Sequence, residues 1–183
     1  ISGYTTTGAT ILSDVESLSK CLLFWRSFTH WIGGMGVLVF MLSILPLAGG
    51  NNMHILRAES PGPSVGKLVP RLRSTAKILY AIYAALTFIE FVLLLLGGMS
   101  LFDAVTTAFA TAGTGGFGIK NSSMAEYSMY IQNVVAIFMV LFGVNFAIYF
   151  LFLIKKPKEA LKSEELRTYL GIIFISTIVI GFN

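Results

Sequence analysis

The chain has 183 residues, 55% of them hydrophobic and 12% charged, with a mean hydropathy of +0.79. Soluble domains carry about 25% charged residues, so the composition excludes an ordinary water-soluble globule and indicates a membrane protein. The lone cysteine, Cys21, excludes a disulfide framework and any multi-cysteine metal site.

Residues 1–10, ISGYTTTGAT, open a polar stretch in which no basic n-region precedes an apolar core, so no cleavable signal peptide is recognisable. The chain starts with Ile1 and its final apolar run stops at Asn183, which is expected of an internal piece of a longer polytopic protein. A bilayer span needs about 20 mainly apolar residues. Residues 28–48 meet this with no formal charge apart from His30, and residues 78–98 meet it with Glu90 alone. Residues 127–154 carry no charge at all. Residues 169–182 are short and read as the start of a fourth span.

Lys and Arg fall unevenly around these spans. Arg57, Lys67, Arg71, Arg73 and Lys77 lie between the first two, and Lys155, Lys156, Lys158, Lys162 and Arg167 follow the third. The positive-inside rule places both basic connections, 51–77 and 155–168, in the cytoplasm. The net charge of +4 is thereby explained without nucleic acid as a partner. Trp25, Trp31, Tyr127 and Tyr130 near the outer span ends read as an interfacial belt. The 67–77 segment sets topology, with docking of a cytosolic partner or anionic membrane lipid as its other reading.

The connection 99–126 is not an ordinary loop. Its first part, SLFDAVTTAFATA, is a short apolar helix pattern with Asp103 near its start, where a helix N-terminus favours an acid. It is too short to span but long enough to be re-entrant. TAGTGGFG follows, then a polar tail. The spacing Gly113, Gly115, Gly118 resembles a dinucleotide loop. That fingerprint needs a preceding strand, a following helix and an acid about 20 residues on. Here a helix pattern precedes, a polar tail follows and Phe138 stands where the acid belongs, so the nucleotide reading is rejected.

Sliding the sequence by 108 positions lays Thr6, Thr7 and Gly8 over Thr114, Gly115 and Gly116. A slide of 109 lays Gly34 over Gly143 and Gly36 over Asn145. Both copies read as filter-like loop, polar linker, outer aromatic and glycine-bearing span, which implies pseudo-symmetry about a shared axis. Irregular backbone at membrane depth is tolerated where it is buried in protein or lines a water-filled path. Glycine allows φ/ψ values that turn successive carbonyls the same way, and such carbonyls replace a cation's hydration shell in channel filters. Threonine hydroxyls add oxygen ligands, and the absence of Asp or Glu from either strand favours a weakly held monovalent ion.

The remaining chemistry-bearing residues are few. Glu90 is a mid-span carboxylate that must face protein or water; an interhelical hydrogen bond and a role in ion coupling are its two readings. Gly33, Gly34 and Gly36 read as close helix packing, with a hinge as the alternative. His30 reads as an interfacial histidine, and His54 and Cys21 carry no partner motif. No HExxH, nucleophile elbow or paired carboxylates are present, so the chain reads as a non-enzyme without a cofactor.

ISGYTTTGAT, WRSFTHWIGGMGVLVFMLSILP and RAESPGPSVGKLVPRLRSTAKILY, with the second glycine strand and GVNFAIYF, resemble the TrkH branch of the Trk/Ktr/HKT potassium transporters over essentially the whole chain. The resemblance implies an all-α polytopic membrane protein of repeated M1–pore helix–M2 units with re-entrant filter loops. Residues 1–50 would be the filter strand and M2 helix of one unit, and 78–154 a complete second unit. Residues 169–183 would begin a third. The implied function is potassium uptake across the cell inner membrane through a carbonyl- and hydroxyl-lined filter, with K⁺ as the transported ion. Thr6, Thr7, Gly8, Thr114, Gly115 and Gly116 match the filter positions, with Thr5 and Gly113 as outer candidates. A homodimer and a cytosolic nucleotide-binding regulator of the TrkA type are the implied partners. The runner-up is a secondary transporter of another small solute, with broken helices at the midplane.

Overall fold

The computed structural model describes residues 1–36, 69–153 and 157–181. The second half of the first expected span, His54, and the basic residues Arg57, Lys67, Lys155 and Lys156 lie outside them. Seven α-helices occur among the described residues: α1 (Lys20–Gly34), α2 (Val69–Leu96), α3 (Leu101–Ala112), α4 (Met129–Gly143), α5 (Phe146–Leu153), α6 (Pro157–Lys162) and α7 (Glu164–Gly181). No β-strand is among them, so both expected filter strands are irregular loops rather than sheet elements.

One described stretch is both long and apolar enough to cross a membrane, Ala76–Leu96 within α2. The short α3 is the centre of the packing. Ala104, Ala108 and Ala112 recur on one of its faces and are buried, and small residues at this spacing let neighbouring helices approach closely. α3 packs against α1, α2 and α4, and its alanines join Tyr83, Leu94, Ile131, Val135, Phe138 and Phe142 in the main core. Ser100 caps its start, accepting from the Asp103 N–H at 3.2 Å. This satisfies one of the donors a helix N-terminus leaves open.

Two expectations are corrected here. Trp31 is not a simple belt residue. It stacks on Phe28 and meets Phe109 at a tilt, donates from Nε1 to Thr87 Oγ1 at 3.1 Å, and its carbonyl accepts from Tyr83 Oη at 2.8 Å. Trp25 and Tyr130 do remain exposed. The expected span 127–154 is interrupted: α4 ends at Gly143, Val144 is extended with ψ 138, and α5 restarts at Phe146. The physical reason is local. A side chain on Gly143 would overlap the Tyr169 hydroxyl. Tyr169 Oη donates to Val140 O at 3.1 Å and Tyr149 Oη to Leu141 O at 2.7 Å, so carbonyls freed by the break are re-satisfied. α7 begins five residues before the expected start, and none of its side chains is buried.

Candidate functional site

The two threonine-glycine segments leave their helical turns in the same way. In the first, Thr6 N–H donates to Gly3 O and Thr7 N–H to Ser2 O, both at 3.1 Å. In the second, Thr114 N–H donates to Thr111 O at 2.7 Å and Gly115 N–H to Ala110 O at 3.0 Å. Each pair is a Schellman C-cap, in which the last helical carbonyls are satisfied by the two residues that leave the helix. Thr5 and Gly113 hold the C-cap place, so these two candidates lie at the helix end of each segment rather than toward the polar tail.

Backbone angles repeat at the same offset. Thr6 has φ 51 and Thr114 φ 52, while Gly8 has φ 70 and Gly116 φ 64; Thr7 and Gly115 between them are not left-handed. Left-handed backbone is routine for glycine. For a β-branched threonine it costs about 1–2 kcal/mol per residue. Such strain persists where the surroundings over-determine it, most often at functional sites. Alternation between left-handed and other backbone turns successive peptide groups toward one side.

The two segments touch. A side chain on Gly8 would run into the Gly115 carbonyl, whereas one on Gly116 would meet nothing within 4 Å. The six site candidates therefore fall into two adjacent three-residue runs.

The support behind these runs was mostly invisible in the sequence. His30, expected at the interface, is fully buried against the second run. A side chain on Gly115 would lie 2.6 Å from His30 Nε2, and one on Gly113 would overlap the ring. Neither ring nitrogen meets a partner at full hydrogen-bond geometry among the described residues. The reason is azimuthal: the ring points from α1 toward the end of α3, so its depth along the chain does not set its exposure. Arg26, one turn earlier, donates from Nη2 to Thr10 Oγ1 and from Nη1 to Gly118 O at 3.5 Å. Its guanidinium lies 4.0 Å from the Phe117 ring centre. The sequence signal was a single arginine inside CLLFWRSFTHW, which carries no other formal charge.

Asn121 forms a third support. Its side chain donates to Asp14 Oδ1 and accepts from Val15 N–H, each at 2.8 Å, and its backbone N–H donates to Glu16 Oε1 at 3.0 Å. The polar tails of the two segments are thereby joined. The Asn121 amide, aided by backbone N–H groups of Glu16 and Ser17, holds the Asp14 carboxyl below the ordinary aspartate range. Nearby, the Lys120–Glu126 pair at 2.7 Å raises the lysine and lowers the glutamate.

Two cavities flank the segments. One of about 200 Å³ is bordered by Gly3, Gly8, Thr10, Arg26, His30 and Phe117. The other, about 120 Å³, is bordered by Thr107, Thr111, Gly116, Val135 and Met139 among others. Glu90 is completely buried, with Thr111 of α3 as its polar neighbour but no bond at full geometry. No cluster of three or more His, Cys, Asp or Glu able to hold a metal occurs among the described residues. The oxygens on offer in the two runs are carbonyls and hydroxyls.

A helical membrane protein in which helical turns, the second of them ending a short buried helix, feed left-handed, oxygen-rich loops is the class this arrangement defines. The chain belongs to the TrkH cation transport protein family, whose model matches residues 1–177. It is 39% identical over 189 aligned positions to the Trk system potassium uptake protein TrkH of Escherichia coli strain K12, covering all of this chain and 39% of that protein. To the Trk system potassium uptake protein TrkG of the same strain it is 37% identical, covering all of this chain and 38% of that protein. The crystal structure of the potassium transporter TrkH from Vibrio parahaemolyticus matches with a TM-score of 0.75 at 33% identity, over 97% of this chain and 36% of that one. The chain spans under two fifths of the length of these relatives.

Proposed function

We propose that this chain supplies two walls of a potassium pore in a Trk-type uptake system. The backbone carbonyls and threonine hydroxyls of Thr6, Thr7, Gly8, Thr114, Gly115 and Gly116 replace water around K⁺. The observation that carries this reading is the duplicated geometry: two Schellman exits followed by left-handed residues at Thr6 and Gly8 and again at Thr114 and Gly116. Oxygen ligands without formal charge hold a monovalent cation firmly enough to enter and weakly enough to leave. The relatives are Trk system potassium uptake proteins, which supports the choice of ion.

Residues 1–50 then form the filter segment and M2 helix of one unit, and 78–154 a complete M1–pore helix–filter–M2 unit. Residues 169–183 begin the next. The connections 51–77 and 155–168 face the cytoplasm of a multi-pass inner-membrane protein. Further units complete the ring, a second copy makes a homodimer, and a cytosolic nucleotide-binding subunit of the TrkA type regulates uptake.

The test is ion flux into vesicles holding the full-length protein, with K⁺, Rb⁺ and Na⁺ compared. Entry of K⁺ and Rb⁺ well ahead of Na⁺ is expected. Absent flux, or equal entry of all three, overturns the reading.

A further inference from the structure

The two cavities occupy corresponding places in the two copies but have different linings. Gly8 and Gly116 correspond at offset 108, and α1 and α4 correspond at offset 109, since Lys20–Gly34 and Met129–Gly143 are both 15 residues long. Under that correspondence Val135 stands where Arg26 does, and Met139 where His30 does. Behind the second copy the lining from α4 is apolar. Behind the first, α1 brings a cation and an imidazole to the cavity wall.

Arg26 and His30 are four residues apart, so they share a face of α1. Both grip Phe117, the residue that follows Gly116. The guanidinium lies over the ring at 4.0 Å from its centre, and the imidazole meets it edge-on at a centroid distance of 4.9 Å and 84°. The same guanidinium holds the hydroxyl of Thr10 beyond the first run and the carbonyl of Gly118 beyond the second. One side chain thus ties together two segments separated by more than a hundred residues of sequence, at the end opposite their helical exits.

We propose that Arg26 is a specificity-determining positioning residue, fixing the separation of the two oxygen-bearing runs by bridging Thr10, Phe117 and Gly118. It does so without ligating the ion. This rests on the pore reading given above. An ion that fits a ring of oxygens is selected by their number and spacing, and loosening one seam of the ring admits a smaller ion. Arginine suits the task because its planar fork serves two acceptors while its face stacks on an aromatic ring. A lysine does not reproduce that combination.

The experiment measures the K⁺/Na⁺ flux ratio of the full-length protein in vesicles for wild type, Arg26→Gln, Arg26→Lys, Thr10→Val and Phe117→Leu, with the amount of intact protein quantified in each. Arg26→Gln is expected to lower the ratio roughly tenfold, the equivalent of one charge-assisted hydrogen bond. Arg26→Lys is expected to fall with it rather than with wild type. An unchanged ratio in Arg26→Gln overturns the proposal, as does a uniform loss of flux at constant ratio. A wild-type ratio in Arg26→Lys also overturns it, since charge alone would then suffice. If Arg26→Gln fails to accumulate, Thr10→Val and Phe117→Leu decide: a lowered ratio in either supports the tie, and unchanged ratios in both refute it. Wild-type vesicles without K⁺ preference refute the pore reading itself, and the inference falls with it.

Discussion

Gly8 and Gly116 occupy matching places with nearly equal φ, yet substitution by alanine should separate them sharply. At Gly116, φ is 64 and an added Cβ meets nothing within 4 Å. The cost of Gly116→Ala is therefore the left-handed penalty alone, about 1–2 kcal/mol. At Gly8 the same penalty applies, and the new methyl group also overlaps the Gly115 carbonyl. That oxygen is backbone, so relief requires moving the whole second run; such overpacking typically costs a further 1–3 kcal/mol. K⁺ uptake by the full-length protein, measured with thermal stability of the purified variants, is the assay. Gly116→Ala should retain uptake and most of its K⁺/Na⁺ preference, whereas Gly8→Ala should lose both. Equal losses, or a greater loss at Gly116, would refute the claim that the two runs abut as described.

Three further outcomes are expected. Gly115→Ala pushes against His30 Nε2 and the Phe117 ring alike, so its loss of uptake should be partly restored by His30→Ala, which frees one of the two; additive losses in the double-mutant cycle would contradict the His30 contact. Asp14 has a folded-state pKa below its unfolded one, so its contribution is present above the ordinary aspartate value and disappears as pH falls through the depressed value. Hydrogen exchange around Val15, corrected for intrinsic rate, should stay slow at about pH 6 and speed up once pH falls below the depressed value; Asp14→Asn should exchange alike across that range. Glu90 is buried without a fully formed bond, and an uncharged isostere avoids the cost of burying a carboxylate. Glu90→Gln should keep near-wild-type uptake and melting temperature, and a collapse of either would show that the charge itself is needed.

The skeleton of this architecture is legible in the chain because membranes impose simple rules. Length and apolar content mark α2, and Asp103 near the head of SLFDAVTTAFATA marks the start of α3. The offsets 108 and 109 follow from Thr6-Thr7-Gly8 and Gly34, and the backbone repeats both, the first in its left-handed pairs and the second in its helix bounds. What escaped the sequence depends on direction or on distant contact. Nothing in Thr6 or Thr114 announces a left-handed backbone, since propensity assigns that role to glycine. Hydropathy gives the depth of His30 but not the side of α1 it occupies. Arg26 and Gly118 are 92 residues apart, beyond any local pattern. The break at Val144 interrupts an uncharged run, between Gly143 and Asn145, and the hydroxyls of Tyr149 and Tyr169 reveal why it is tolerated.

The slip between the two offsets has a consequence for how such a protein varies. One extra residue separates the left-handed run from the helix in the second copy, so run and helix together do not superimpose on those of the first. In a ring built from identical subunits every substitution strikes all positions at once. Here each run is encoded separately, so a substitution at Gly8 leaves the residue at position 116 the same even where it presses on the second run. The two runs can therefore vary separately in sequence, Gly116 without strain on its neighbour and Gly8 at its neighbour's expense.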